Sequence, residues 1–153
     1  MYWDTSALVK IYTPESGSGY FLDLIGSEDK SVFMSVTTGI EVSCALNRRE
    51  QAGDIRRADA ARATKRFAKD CADGRITRLS CGEEVVARVM EIVGIAASCR
   101  RALMIRSLDA IHIAPALSIR ATSVVTTDNR LREVAKIFNL NVLPVPTSAI
   151  PAR

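Results

Sequence analysis

Along the chain, short apolar runs alternate with segments whose apolar residues recur every three or four positions. Residues 1–4, Met-Tyr-Trp-Asp, read as a strand that runs straight into a helix over Thr5–Tyr12, stopped by Pro14. A second amphipathic segment at 18–25 ends in a turn at Gly26-Ser27. The spacing then predicts a strand over 31–36, a helix over 38–50 broken by Ala52-Gly53-Asp54, and a long basic helix over 55–72. A turn at Asp73-Gly74 leads to a third strand at 75–79 and a helix at 83–97, with Gly94 its weak point. Ser107 reads as the cap of a helix over 108–119. The β-branched run 122–126 is a strand, 129–138 a helix, and 141–145 an edge strand, because Pro144 has no N–H for a central ladder.

Strands alternating with helices of about ten residues or more imply parallel βαβ units, hence a doubly wound, three-layer α/β domain. The 153-residue length suits one domain over residues 1–146, with residues 147–153 as a short tail. The chain is 48% hydrophobic and 25% charged, and no apolar run approaches the roughly 20 residues of a membrane helix. Asp4 interrupts the N-terminus before any signal-peptide pattern develops, so the expected compartment is the cytoplasm. Cys44, Cys71, Cys81 and Cys99 are scattered and His112 is the single histidine, a poor set for zinc. The cysteines read as small hydrophobes kept reduced.

Charge refines this picture. The formal net charge is +4, and the stretch 48–78 alone holds ten Lys or Arg against five acids. Alone, such a segment is a solvated helix face. Beside an acidic cluster it gains a use, since a polyanionic substrate needs cations at its phosphates. Arg56, Arg57, Arg62, Lys65 and Arg66 are the candidates for that contact.

In open α/β sheets, ligands bind beyond the carboxyl ends of the strands. Asp4 ends the first strand and Asp128 follows the strand at 122–126. Glu41 and Asp109 fall in the first turns of their predicted helices. Singly, three of these acids have plain structural uses: Glu41 and Asp109 complement helix dipoles, and Asp128 caps a helix. Asp4 lies between Trp3 and an apolar helix, where a carboxylate needs a partner. Four carboxylates gathered at one end of a sheet repel one another, and a divalent cation relieves that repulsion.

Several stretches resemble a known family. Tyr2-Trp-Asp-Thr-Ser-Ala-Leu-Val-Lys-Ile-Tyr12 is similar to the opening of a PIN domain, in particular of the VapC-type toxin ribonucleases. Ser35-Val-Thr-Thr-Gly-Ile-Glu-Val42, Leu108-Asp-Ala-Ile-His-Ile-Ala114 and Val125-Thr-Thr-Asp-Asn-Arg-Leu131 resemble its second, third and fourth acidic motifs, in the family order. The resemblance implies a parallel five-stranded sheet in the order 3-2-1-4-5 and cleavage of RNA with Mg²⁺ or Mn²⁺. It also implies a VapB-like antitoxin and a homodimer.

In that frame Asp4 and Asp109 are the principal metal ligands, with Asp128 and Glu41 acting directly or through water. Ser6 and Thr126 are candidate hydrogen-bond donors to carboxylates or metal-bound waters. His112, three residues after Asp109 and on the same helix face, reads as a packed supporting residue, not a general base. Pro115 and Gly39 depart from the family pattern. The proline costs its helix about 3 kcal/mol if uncompensated, yet lies beyond the turn that carries Asp109. Gly39 threatens to loosen Glu41. The alternatives are a degenerate PIN domain that binds RNA or protein without cutting, and an aspartyl-nucleophile phosphatase. The phosphatase needs a second acid where Ser6 stands. A phosphorelay receiver needs an Asp ending its third strand, where Leu79-Ser80 stand instead.

Overall fold

The computed structural model describes residues 1–27, 31–98 and 105–145. In chain order the elements are β1 (Tyr2–Trp3), α1 (Thr5–Tyr12), α2 (Ser18–Gly26), β2 (Val32–Ser35), α3 (Val36–Ala52) and α4 (Asp59–Ala72). They continue as β3 (Ile76–Leu79), α5 (Glu83–Ser98), α6 (Ser107–Ser118), β4 (Ser123–Val125), α7 (Asn129–Ile137) and β5 (Asn141–Leu143). The five strands form one parallel sheet in the order β3-β2-β1-β4-β5, as the resemblance implied. Tyr2 pairs with both Phe33 and Val124, which makes β1 the central strand.

Successive strand residues point to opposite faces, and β1 shows what that does here. Trp3 enters a core built with α1, α2, α3 and α4, whereas Tyr2 enters one built with α5, α6 and α7. Both side chains are fully buried, so two apolar layers clamp the sheet. Because β1 and β4 are neighbours whose chains cross to opposite faces, a crevice opens beyond their carboxyl ends.

Several element boundaries differ from the sequence reading. The strands are shorter than the sequence reading, and Asp4 and Ser35 already cap the helices that follow β1 and β2. Ser35 ends β2 and accepts the Thr38 N–H at 3.2 Å, so α3 starts at Val36. Gly53, at φ 81°, ends it by donating to the carbonyls of Arg49 and Glu50. Glu41 therefore sits in the second turn of α3, not the first. The basic helix starts at Asp59, not 55, because Ala58 is left-handed (φ 68°) and the Asp59 carboxylate accepts the Arg56 N–H at 2.9 Å. Arg56 and Arg57 thus precede the helix. Ser107 is not the cap of α6 but its first helical residue; Arg106 holds the cap position.

Pro115 is buried inside α6, which continues through it to Ser118. Cys44 and Cys81 are exposed and Cys71 is half-buried, all three free, so among the described cysteines only Cys71 packs as a small hydrophobe. Cys99 and the tail at 147–153 lie outside the described residues. Among the described residues no helix is long and apolar enough to cross a membrane.

Gly39 is not a forced glycine. A Cβ there would meet Met34 Cε and Phe67 Cε1 at 3.8 Å, ordinary van der Waals contact. Gly39→Ala is therefore expected to raise stability by about 0.5–1 kcal/mol, through helix propensity and added contact. The check is urea denaturation: the midpoint rises with an unchanged slope.

Candidate active site

The crevice is organised around Asp4, which caps α1 and is only 4% exposed. Its Oδ1 accepts from Ser6 Oγ at 2.8 Å and from the Ala7 N–H at 3.1 Å; its Oδ2 accepts from Thr126 Oγ1 at 2.9 Å. Ser6 and Thr126 in turn accept the N–H groups of Thr127 (2.8 Å) and Asp128 (3.0 Å). The loop after β4 is thereby tied to the carboxylate that ends β1. Arg132 of α7 secures it from behind, donating to the carbonyls of Thr126 (2.9 Å) and Pro144 (2.6 Å). Burial pushes the Asp4 carboxyl above its ordinary range, against the opposing pull of His112 and of the three hydrogen bonds.

Glu41 reaches the same crevice from α3. Its Oε2 accepts from Thr5 Oγ1 and lies 3.2 Å from His112 Nε2. A carboxylate only accepts, so Nε2 carries the proton in either charge state of the ring. The other ring nitrogen, Nδ1, lies 3.0 Å from the Tyr2 hydroxyl. His112 is 5% exposed. Burial alone would lower its pKa, but the hydrogen bond and charge of Glu41, with the charges of Asp4 and Asp109, hold it above the ordinary value. Burial likewise opposes charge on Glu41. The hydrogen bonds of His112 and Thr5, and the charges of His112 and Arg48, outweigh it and keep that carboxyl low.

Asp109 and Asp128 each combine a capping job with a place on the crevice. Helix α6 runs antiparallel to the strands, so its N-terminus lies at their carboxyl ends. There Asp109, 7% exposed, accepts the Arg106 N–H through Oδ2 at 3.0 Å. Asp128 caps α7, accepting the N–H groups of Arg130 (2.7 Å) and Leu131 (3.2 Å) on Oδ1 alone. The structural uses open to these two acids are thus real, and each engages a single carboxylate oxygen.

All four acids, with Ser6 and His112, line one cleft of about 450 Å³. Among the described residues no three acidic, imidazole or thiol side chains converge tightly enough to cage an ion directly. Mg²⁺ does not require a cage: it retains several waters and takes one or two carboxylates. The clearest point of fit is Glu41 Oε1, which is buried without any hydrogen-bond partner. A bare buried carboxylate oxygen is costly unless a cation or its water meets it. The donor set is all oxygen, the chemistry of a hard cation. The residues present fit Mg²⁺ or Mn²⁺ with Asp4, Glu41, Asp109 and Asp128 around it.

The cations at this cleft are not those singled out from the sequence. Lys10, Arg48, Arg49 and Arg106 line it, whereas Arg56, Arg57, Arg62, Lys65 and Arg66 do not. Lys10 and Arg49 are held by Glu15, each at 2.6 Å, while Arg62 pairs with Asp59. Helical spacing contained the signal: Glu41, Ala45 and Arg48 stand at i, i+4 and i+7 on one face of α3. Thr5 was also missed, although it follows Asp4 directly.

No curated protein matches this chain. A solved structure of FitAcB from Neisseria gonorrhoeae superposes with a TM-score of 0.68 at 19% identity, covering 92% of this chain and 94% of that one. At that identity the likeness speaks for the fold. The sequence profile of the PIN domain matches residues 1–137, from the strand that carries Asp4 through the helix capped by Asp128. A match over that much of the chain, on the sheet order just described, means that the chain belongs to the PIN domain family, whose members are generally nucleases.

Proposed function

We propose that this protein is a metal-dependent endoribonuclease of the VapC type, the toxin of a toxin–antitoxin pair, acting in the cytoplasm. The observation that carries this reading is the meeting of Asp4, Glu41, Asp109 and Asp128 on one cleft, with Glu41 Oε1 buried and unpaired. Asp4 and Asp109 would be the principal ligands of Mg²⁺ or Mn²⁺, with Asp128 and Glu41 direct or through water. Bound there, the ion would supply a water of lowered pKa and neutralise charge on the leaving oxygen of a phosphodiester. Ser6 and Thr126 hold the Asp4 carboxylate in place through hydrogen bonds to both its oxygens. A VapB-like antitoxin is the proposed partner and a homodimer the proposed assembly, both on the strength of the four motifs. The test is incubation of the purified protein with mixed RNA, with chelator or with Mn²⁺. Cleavage that needs the ion is expected; intact RNA in both arms returns the chain to a non-cutting PIN domain.

The cleft also indicates where RNA would bind. Arg48 and Arg106 are exposed, and neither makes an ion pair among the described residues. They suit the phosphates that flank the cleaved bond, while the cations at 56–66 would contact RNA only further out. Reversing both, Arg48→Glu with Arg106→Glu, is expected to flatten the salt dependence of binding measured in chelator. The change in slope is about 0.7 per lost single-strand contact. An unchanged slope would remove both from the interface. The same reversal at Arg56 and Arg57 reports whether the track extends past the cleft.

A further inference from the structure

We propose that His112 is a positioning residue for Glu41: by holding Oε2 it fixes the carboxylate at the cleft and leaves the other oxygen, buried and unpaired, for a divalent cation or its water. This rests on the metal-dependent reading above and adds to it the means by which one of the four acids is aimed. Glu41 differs from its three counterparts. Asp4, Asp109 and Asp128 have short side chains held at helix starts by backbone N–H groups. Glu41 is in the second turn of α3, with one more rotatable bond and no backbone donor among its hydrogen bonds. Left alone, such a side chain samples several rotamers and loses entropy when it is fixed.

Two donors fall on the same oxygen. Thr5 Oγ1 and His112 Nε2 both address Oε2, and Oε1 is buried with none. That asymmetry fixes the rotation of the carboxylate group. The imidazole is itself fixed, since Nδ1 meets the Tyr2 hydroxyl at 3.0 Å and Thr38 Oγ1 at 3.5 Å. Thr38 is in turn 2.9 Å from Ser35 Oγ, the cap of α3. Tyr2 lies on β1, two residues before Asp4, so the chain of contacts references Glu41 to the strand that leads into Asp4. His112 also shares a face of α6 with Asp109. One buried ring thus ties together the three elements that supply Asp4, Glu41 and Asp109.

A histidine needed only for packing would change stability and leave ion affinity alone. The experiment is Mn²⁺ titration calorimetry on the full chain without RNA, so that activity plays no part in the readout. His112→Leu is expected to weaken Mn²⁺ binding tenfold or more, the usual cost of removing a partner that orients a ligand. His112→Gln, whose amide N–H reaches as far as Nε2, should recover most of that loss. In a Glu41→Gln background, His112→Leu should add nothing further. Parent-like affinity in folded His112→Leu overturns the proposal. If that variant does not fold, equal affinities for His112→Gln and the shorter His112→Asn overturn it. A parent chain that binds no Mn²⁺ sinks the metal-dependent reading itself, and the positioning role with it; a binding parent with indifferent His112 variants refutes the positioning role alone.

Discussion

Asp4→Asn, and separately Asp109→Asn, is expected to cut Mn²⁺-dependent RNA cleavage by about a hundredfold or more while the fold survives. Each change removes a negative charge from the cleft and almost no volume. An ion worth several kcal/mol of charge stabilisation in the transition state is lost or displaced, and about 2.7 kcal/mol is already a hundredfold. The amide oxygen of an asparagine at 109 still accepts the Arg106 N–H, so α6 keeps its start. At 4, the amide oxygen serves Ser6 and Ala7, and its NH₂ group faces Thr126 Oγ1, a hydroxyl able to accept. The readout is initial cleavage rate against enzyme concentration, with circular dichroism to verify the fold. Rates within tenfold of the parent in both variants would refute the ligand assignment. His112 variants should lose less than either, because the ring orients a ligand and transfers no proton.

The second large effect is on stability, and its sign depends on the ion. Burial raises the Asp4 pKa above its unfolded value, so the ionised carboxylate at neutral pH costs the fold free energy, a cost that disappears as pH falls through the folded pKa. Asparagine removes that cost. In chelator, Asp4→Asn should therefore melt at or above the parent temperature. With excess Mn²⁺ the order should reverse, because a ligand bound only by the folded state adds about 2.7 kcal/mol at a hundredfold excess over Kd. For a domain of this size that is roughly 5–10 °C of melting temperature in the parent, most of it absent from the variant. Four melting curves decide it. A parent that does not respond to Mn²⁺ or Mg²⁺, or a variant that responds equally, would exclude Asp4 as a ligand.

What the sequence determined by itself is what local spacing encodes. The bounds of α1 were legible to the residue, since Asp4 is a side-chain cap and Pro14 lies just beyond its end. The sheet order was legible through the resemblance carried by the four motifs, and strand–helix alternation alone implied parallel pairing. Asp4 and Asp128 could be placed because the segment that follows the carboxyl end of a parallel strand borders the crevice. The start of α4 was not legible: apolar periodicity continues through 55–58, and only the left-handed Ala58 and the Asp59–Arg56 contact interrupt it. The partners of Glu41 were beyond reach as well. His112 is 71 positions away and Thr5 is 36, and no helical or strand period relates residues so far apart. Which cations border the acids was likewise decided by packing. Helix α3 lies against α1 and delivers Arg48 to the cleft, whereas the more basic α4 packs outside it. A hydrogen bond across the sheet depends on the distance between two layers, and that distance is set only once both cores have closed.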